Sequence, residues 1–501
     1  MIYVVSFASV FITLSIILYS GGTWLLTKSL LVQRFSLELR FVGDYTSLKG
    51  GILVSFVSTA VFLFATSYLQ EPKFLRLLRA FVISILCLIF GNSLPVLLVG
   101  WDGLGLTSFF LILYFDSVSN RRSGIVTFII NRLGDGLLIG FVLANISGGD
   151  LNLLIIRFAG VWLCAAITKR AQWPFRSWLP LAIDAPTPVS ALVHRRTLVT
   201  AGFFLVSRVL PEGLYPHVAW FGLVTACFGA AASFLALDFK KVIAYSTLRN
   251  LGLLALAWGL GSRDIIFFHL YAHALYKAAL FILAGGVLVS NFGQQDLRSQ
   301  VDSLNLSPLA KTLLVGNILA RCGVIFLRTF FSKHALVASA WLAFSHPVQF
   351  PILALTLLLT CAYSLRIARV VLLSSRTQSI CRATPAAVIR AVVLLSSGTL
   401  ILGNAYELPS ALQCGPGPWV APFLISGALL RCLPTSGVSS TFTLSAFYTE
   451  LLFDISHLNL TMNQRLESGW FALTQPRHVL PHSVNLNSIA GLTLCLLYYL
   501  V

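Results

Sequence analysis

Two histidines and a lysine recur at four-residue spacing, His269, His273 and Lys277, inside the apolar run IIFFHLYAHALYKAALFILAGGVLVS (265–290). On a helix, positions i, i+4 and i+8 lie on one face, so the three side chains form a ladder. Ionisable groups at membrane depth cost on the order of 2.5–3.5 kcal/mol each on insertion scales, and they mark ion or proton paths. Histidine titrates near neutrality and can pass protons between fixed charges. Asp102, Lys169, His194 and Lys333 also sit in or beside apolar stretches. A carboxylate beside a lysine in low dielectric stabilises both charged forms, and a proton moved nearby changes that balance. Acid, lysine, histidines, lysine and lysine along one route make a proton wire.

Blander readings exist for each group. A single lysine such as Lys333 can snorkel to a membrane surface, and a lone His194 can be a hydrogen-bonded packing residue. The His269/His273 spacing looks like a helical zinc pair, but Leu270 stands where a zinc protease carries its glutamate. Lys240 and Lys241, after Asp238, read as a membrane-surface pair. The ladder ending at Lys277 is the hardest to dismiss, because three polar groups on one apolar helix must face protein or water.

The elements that position these residues are membrane helices. Of the 501 residues 57% are hydrophobic and 10% charged, with a mean hydropathy of +0.86, too little charge for a soluble domain of this length. Apolar runs of roughly 18 or more residues recur from end to end, giving about 14–16 candidate spans. They begin near Ile2, Ile52, Phe74, Pro95, Gly124 and Leu151, and the last finishes at Val501. The expected fold is all-α and polytopic; a transmembrane barrel would show short alternating strands. The first segment, MIYVVSFASVFITLSIILY, lacks a basic flank and a small-residue cleavage site, so it reads as a retained span.

Two places interrupt the helical rhythm. Lys169-Arg170-Ala171-Gln172-Trp173-Pro174 runs on to Trp178-Leu179-Pro180 and Ala185-Pro186-Thr187-Pro188, where proline breaks or caps a span. Ala320-Arg321-Cys322-Gly323 is followed by Phe330-Phe331-Ser332-Lys333-His334-Ala335. Thr168-Lys169-Arg170-Ala171 faintly echoes Ser332-Lys333-His334-Ala335, as expected of a transporter built from inverted repeats with broken helices. Nine cysteines without a CxxC pair give no cluster, zinc or disulfide framework. No glycine-rich phosphate loop follows a strand signal, so nucleotide binding is not expected. The formal charge of +18 suggests anionic lipid or nucleic acid on the bare number.

Taken together, WDGLGLTSF (101–109), NRLGD (131–135), AITK (166–169), AQWPF (171–175), SWLP (177–180), APTPVSALVH (185–194), LVTAG (198–202), DFKKVIAYSTL (238–248), FFHLYAHALYKAALF (267–281), QDLR (295–298), FFSK (330–333) and AYSLR (362–366) closely resemble the antiporter-like subunits of respiratory complex I. The strings keep the family's order over roughly residues 90–370. The resemblance implies a proton channel in which Asp102 is the acidic partner of Lys169, the first-half lysine. It makes His194, His269 and His273 connecting histidines, Lys277 the central lysine and Lys333 the second-half lysine. Lys333, where one paralogous branch carries glutamate, separates the chain from that branch. Asp135 matches a family acid of less certain role.

The same resemblance implies residues 1–90 as N-terminal membrane helices, 91–370 as the proton-translocating core and 371–501 as C-terminal membrane helices. It implies a mitochondrial inner-membrane location, partners among the other membrane-arm subunits and the lipid bilayer, and no nucleic acid. It implies no cofactor or metal on this chain, with NADH, FMN, iron–sulfur clusters and ubiquinone on other subunits. After Glu467-Ser468-Gly469-Trp470 only about 17 residues precede the last span, roughly 25 Å of helix, so the family's long lateral helix is expected to be short or absent. Ile325 replaces an expected proline, softening the second break. A cation/proton antiporter subunit, or a scaffold that has lost transport, are the alternative classes.

The chain departs from the family at Arg170, Arg176, Arg195, Arg196, Arg249 and Arg321, where serine or another small polar residue is implied. AGA and AGG codons mean serine in many animal mitochondria, and reading them as arginine would place six false charges within the formal +18. The two methionines in the whole chain fit a table that reads AUA as isoleucine.

Overall fold

The computed structural model describes residues 2–404, apart from 20–23, 33–34, 70, 147–158, 193–197, 210–214, 291–292, 294, 298–306, 324–327, 344–347 and 373–384. These residues fall in one unit, Met1–Cys432. The expectations for the lateral helix, for the last span and for Ile325 lie outside the described residues, as does the Leu151 start.

The chain is built from helices. The N-terminal ones are α1 (Ile2–Tyr19), α2 (Tyr45–Tyr68), α3 (Pro72–Phe90), α4 (Leu94–Ile112) and α5 (Val118–Ile146). Then come α6 (Ala159–Lys169), α7 (Trp178–Leu181), a 3₁₀ turn (Ala182–Asp184), α8 (Thr187–Leu192) and α9 (Leu198–Val209). The remainder are α10 (Pro216–Leu235), α11 (Phe239–Gly259), α12 (Arg263–Ser290), α13 (Pro308–Cys322), α14 (Arg328–Ala343), α15 (Gln349–Leu372) and α16 (Ala386–Asn404). Six described helices are long and apolar enough to cross a membrane: α2, α4, α5, α10, α12 and α15. Proline opens α3, α10 and α13, where its missing N–H costs nothing.

One element departs from the all-helical expectation. Trp24–Val32 and Phe35–Gly43 form an antiparallel hairpin, with Trp24 opposite Gly43 and Thr27 opposite Arg40. The second strand alternates Ser36, Glu38 and Arg40 with Leu37, Leu39 and Phe41, a period of two that no helix face accommodates. Its outer edge is partly covered, because Asn92 N–H donates to the Arg40 carbonyl at 2.9 Å.

Helix α12, which carries the ladder, is almost wholly buried and packs against α2, α8, α11, α13, α14 and α16. The closest helix pair is α10 with α11. A Cβ placed on Gly252 would lie 2.4 Å from the Ala226 nitrogen, and one on Gly222 would lie 2.5 Å from the Leu256 nitrogen. Small residues let backbones approach where lipid provides no hydrophobic drive between helices. Arg366 closes the far end of α10, donating to the carbonyls of Ser233 (3.2 Å), Phe234 (2.6 Å) and Ala236 (2.6 Å). A cation there offsets the negative end of the helix.

Both expected breaks are present. After Lys169 the helix stops on Ala171, whose φ of 52° is left-handed, and the indole of Trp178 donates to the freed Thr168 carbonyl at 2.9 Å. The second break is a glycine stop: Gly323, at φ 78°, ends α13 while its N–H reaches Leu319 and Ala320. The first stop is made by an alanine held in the left-handed region and the second by a glycine, which leaves the two interruptions chemically different.

Candidate functional site

The break after α6 fixes the first cluster. Lys169 is the last residue of α6, so it stands at the negative pole of its own helix. The side chain is fully buried. Its ammonium donates to the Trp101 carbonyl at 2.7 Å and lies 4.4 Å from the Trp101 ring centre. The acid beside it is Asp135, at 3.4 Å.

Asp102, the partner expected from the sequence, is instead bound by Arg132 on α5. Arg132 also reaches Asp135 at 3.4 Å, one helical turn away. The side chain of Asp102 is 46% exposed and that of Asp135 only 6%. The reason is helical phase: α5 turns Asp135 toward α6, whereas Asp102 leans outward from α4 toward Arg132. The cluster is therefore a chain of Asp102, Arg132, Asp135 and Lys169. Arg132 was quoted in the NRLGD string without a role; its spacing of three from Asp135 was the available signal.

The second cluster gathers on α12. Lys277 is buried and donates to the Ser246 hydroxyl at 2.5 Å and to the Ile243 carbonyl at 3.3 Å, both on α11. The rings of His273 and His269 are stacked with centres 6.2 Å apart, and Tyr276 meets His273 edge-on at 5.6 Å. At the other end of the ladder, His269 Nδ1 is 3.0 Å from the hydroxyl of Ser332. Ser332 precedes Lys333, whose ammonium donates to the carbonyls of Arg321 (2.5 Å) and Cys322 (2.9 Å). Lys333 thus caps the broken end of α13 and is 2% exposed, which rules out snorkelling. Both break lysines sit at the negative end of a half-helix, Lys169 on its own and Lys333 on its neighbour's.

His194, Arg195 and Arg196 lie outside the described residues, so the link from Lys169 to the ladder is not among the contacts above. Lys241 pairs with Asp238 at 2.6 Å and is half exposed, as a membrane-surface pair should be, whereas Lys240 is buried. Ser246 and Ser332 were not singled out from sequence. Each is an ordinary hydroxyl in an apolar string, and only helix packing brings it to a titratable group.

Three arginines behave unlike the lysines. Arg170 donates to the Gly202 carbonyl at 2.9 Å and lies over Phe203, with its Nε unpaired. Arg249 donates to the side chain of Asn250, whose amide donates to Tyr276 at 2.6 Å, and its Nε and Nη1 have no partner. All three side-chain nitrogens of Arg321 lack a hydrogen bond, and its guanidinium lies 4.9 Å from the Tyr363 ring centre. All three arginines are at most 1% exposed. A buried ion without partners costs several kcal/mol. Arg176 is partly exposed over Phe228.

The arrangement suits stepwise proton transfer. Hydroxyl, imidazole and ammonium groups alternate along α11, α12 and α14, and the His269–Ser332 and Lys277–Ser246 contacts are direct. The gap between the two histidine rings needs a bridging water.

The chain is similar to known proteins in sequence and in fold. The family described as NADH:quinone oxidoreductase/Mrp antiporter, transmembrane, matches residues 91–360. The chain is 36% identical over 349 residues to NADH-ubiquinone oxidoreductase chain 5 of Lumbricus terrestris, covering 66% of this chain and 60% of the relative. It is 36% identical over 340 residues to the chain 5 protein of Anopheles arabiensis, covering 64% and 88%. Against the Lumbricus and Anopheles gambiae relatives it spans about three fifths of their length. Among solved structures, the Mrp complex from Dietzia sp. DQ12-45-1b matches with a TM-score of 0.71 at 22% identity, covering 96% of this chain and 61% of that one. An archaeal membrane-bound sulfane sulfur reductase matches at 0.69 and 17%, covering 86% and 91%. These two show a shared fold.

Proposed function

Because the chain belongs to the NADH:quinone oxidoreductase/Mrp antiporter family, alongside the NADH-ubiquinone oxidoreductase chain 5 proteins, we propose that it is a proton-translocating membrane-arm subunit of respiratory complex I. On this reading it works in the mitochondrial inner membrane, and NADH, FMN, iron–sulfur clusters and ubiquinone are held by other subunits. The observation that carries the reading is the row of buried polar and basic groups along α12 and α14, from Lys277, His273 and His269 to Ser332 and Lys333. A membrane scaffold has no use for so many costly groups on one path.

The proposed sequence starts at the first cluster. A charge change arriving from the quinone end alters how closely Arg132 holds Asp135, with Asp102 as the outer, screened anchor of that arginine. That changes the field on Lys169 at 3.4 Å from Asp135. The ammonium of Lys169 gives up its proton toward the ladder, with His194 as the proposed connection. Lys277 takes up a proton against Ser246, the two histidines relay it, and Lys333 releases it from the carbonyl cap of α13.

The test measures proton uptake by sealed vesicles holding the assembled complex, during NADH oxidation. Replacing Lys277 with Met should lower the protons moved per NADH oxidised; unchanged pumping by an assembled variant refutes the reading. Vesicles containing this chain without redox subunits should show no cation-driven pH change. A sodium- or potassium-driven change would place it with stand-alone antiporters instead.

A further inference from the structure

We infer that positions 170, 249 and 321 carry serine in the working protein, so that small hydroxyls rather than guanidiniums follow Lys169 on α6 and stand near Lys333. The chemistry of these three positions is independent of the direction or existence of pumping.

Burial and charge speak first. Six guanidinium nitrogens across the three side chains have no hydrogen-bond partner, although every one is enclosed in the apolar interior. Among the described residues none of the three forms an ion pair with a carboxylate. Arg249 and Arg321 both lie within electrostatic reach of Lys333, so three buried cations would stand near one another with no carboxylate paired to them among the described residues. The lysines beside them are treated differently: Lys169, Lys277 and Lys333 each have short, specific acceptors. A membrane interior retains a buried charge where partners hold it, and these arginines are the exceptions within their own site.

Packing speaks independently at position 249. The backbone there lies in the α10–α11 seam, where a Cβ on Gly229 would lie 2.5 Å from the backbone nitrogen of Arg249. Along that seam Gly222, Gly229, Gly252 and Gly259 allow backbone contact. A seam of this kind favours small residues, and serine at 249 fits it without a buried charge.

The substitute follows from the code. AGA and AGG, read as arginine in the standard table, share their first two bases with the serine codons AGU and AGC. A table that assigns the whole block to one residue makes that residue serine. Serine is small and neutral, and on a helix it returns its hydroxyl to a carbonyl three or four residues back, as Ser246 and Ser233 do here.

The test isolates the protein from its native membranes in its complex and reads positions 170, 249 and 321 by tandem mass spectrometry of chymotryptic peptides. Serine is expected at all three, together with loss of the tryptic cleavages that arginine at those positions would produce. Arginine at any of the three overturns the inference, as do CGN codons there in the gene. A serine result with no proton pumping would refute the proposed function while leaving this inference standing.

Discussion

Replacing Asp135 with Asn should damage proton transfer far more than replacing Asp102 with Asn, the reverse of what motif matching alone implies. Asp135 is 6% exposed and lies 3.4 Å from the fully buried Lys169. At an effective dielectric near 20, two unit charges at that separation attract by about 5 kcal/mol. Removing one member of a buried pair typically costs about 3–5 kcal/mol, because the other charge is left unpartnered. Asp102 and Arg132 are 46% and 33% exposed, so solvent screening reduces that pair to about 1 kcal/mol or less. The difference, at least about 2 kcal/mol, corresponds to roughly 30-fold in the occupancy of the charged lysine. The assay is proton uptake per NADH oxidised in vesicles, with assembly checked on native gels. Asp135→Asn should nearly abolish the share carried by this subunit, and Asp102→Asn should leave most of it. Intact pumping in an assembled Asp135→Asn variant, with loss in Asp102→Asn, would refute the geometry argued here.

Other outcomes follow from the same contacts. Ser246→Ala should slow pumping by several-fold without preventing assembly, since Lys277 keeps the Ile243 carbonyl but loses its 2.5 Å acceptor; pump rates in the assembled complex check this. Lys333→Met should block release and also loosen the end of α13, read as faster amide hydrogen exchange at Arg321–Gly323, whereas Lys333→Arg should restore the cap more than the pumping. Gly252→Val should cost about 1–3 kcal/mol by overpacking, because its Cβ would meet the Ala226 backbone nitrogen at 2.4 Å. Reduced assembly on native gels, with Gly136→Ala as a control in open space, is the measurement.

The sequence determined that this is a membrane chain, that it is helical, and where its helices break, because each rests on local physics. Long apolar runs report the cost of lipid burial, Trp173-Pro174 removes a helix donor, and Gly323 admits the left-handed turn that ends α13. The ladder of His269, His273 and Lys277 was equally legible, since a spacing of four on one helix needs no tertiary knowledge. The hairpin at Trp24–Gly43 was missed because its alternating strand is embedded between apolar runs that suit spans. Tertiary structure decided who partners whom. Asp102 and Asp135 look alike in sequence, yet the phase of α5 against α6 assigns the buried role to Asp135 and the outer one to Asp102. Ser246 and Ser332 became hydrogen-bond partners of Lys277 and His269 only when α11 and α14 packed on α12. Pairing between helices depends on rotation and depth, which no spacing along a single helix records.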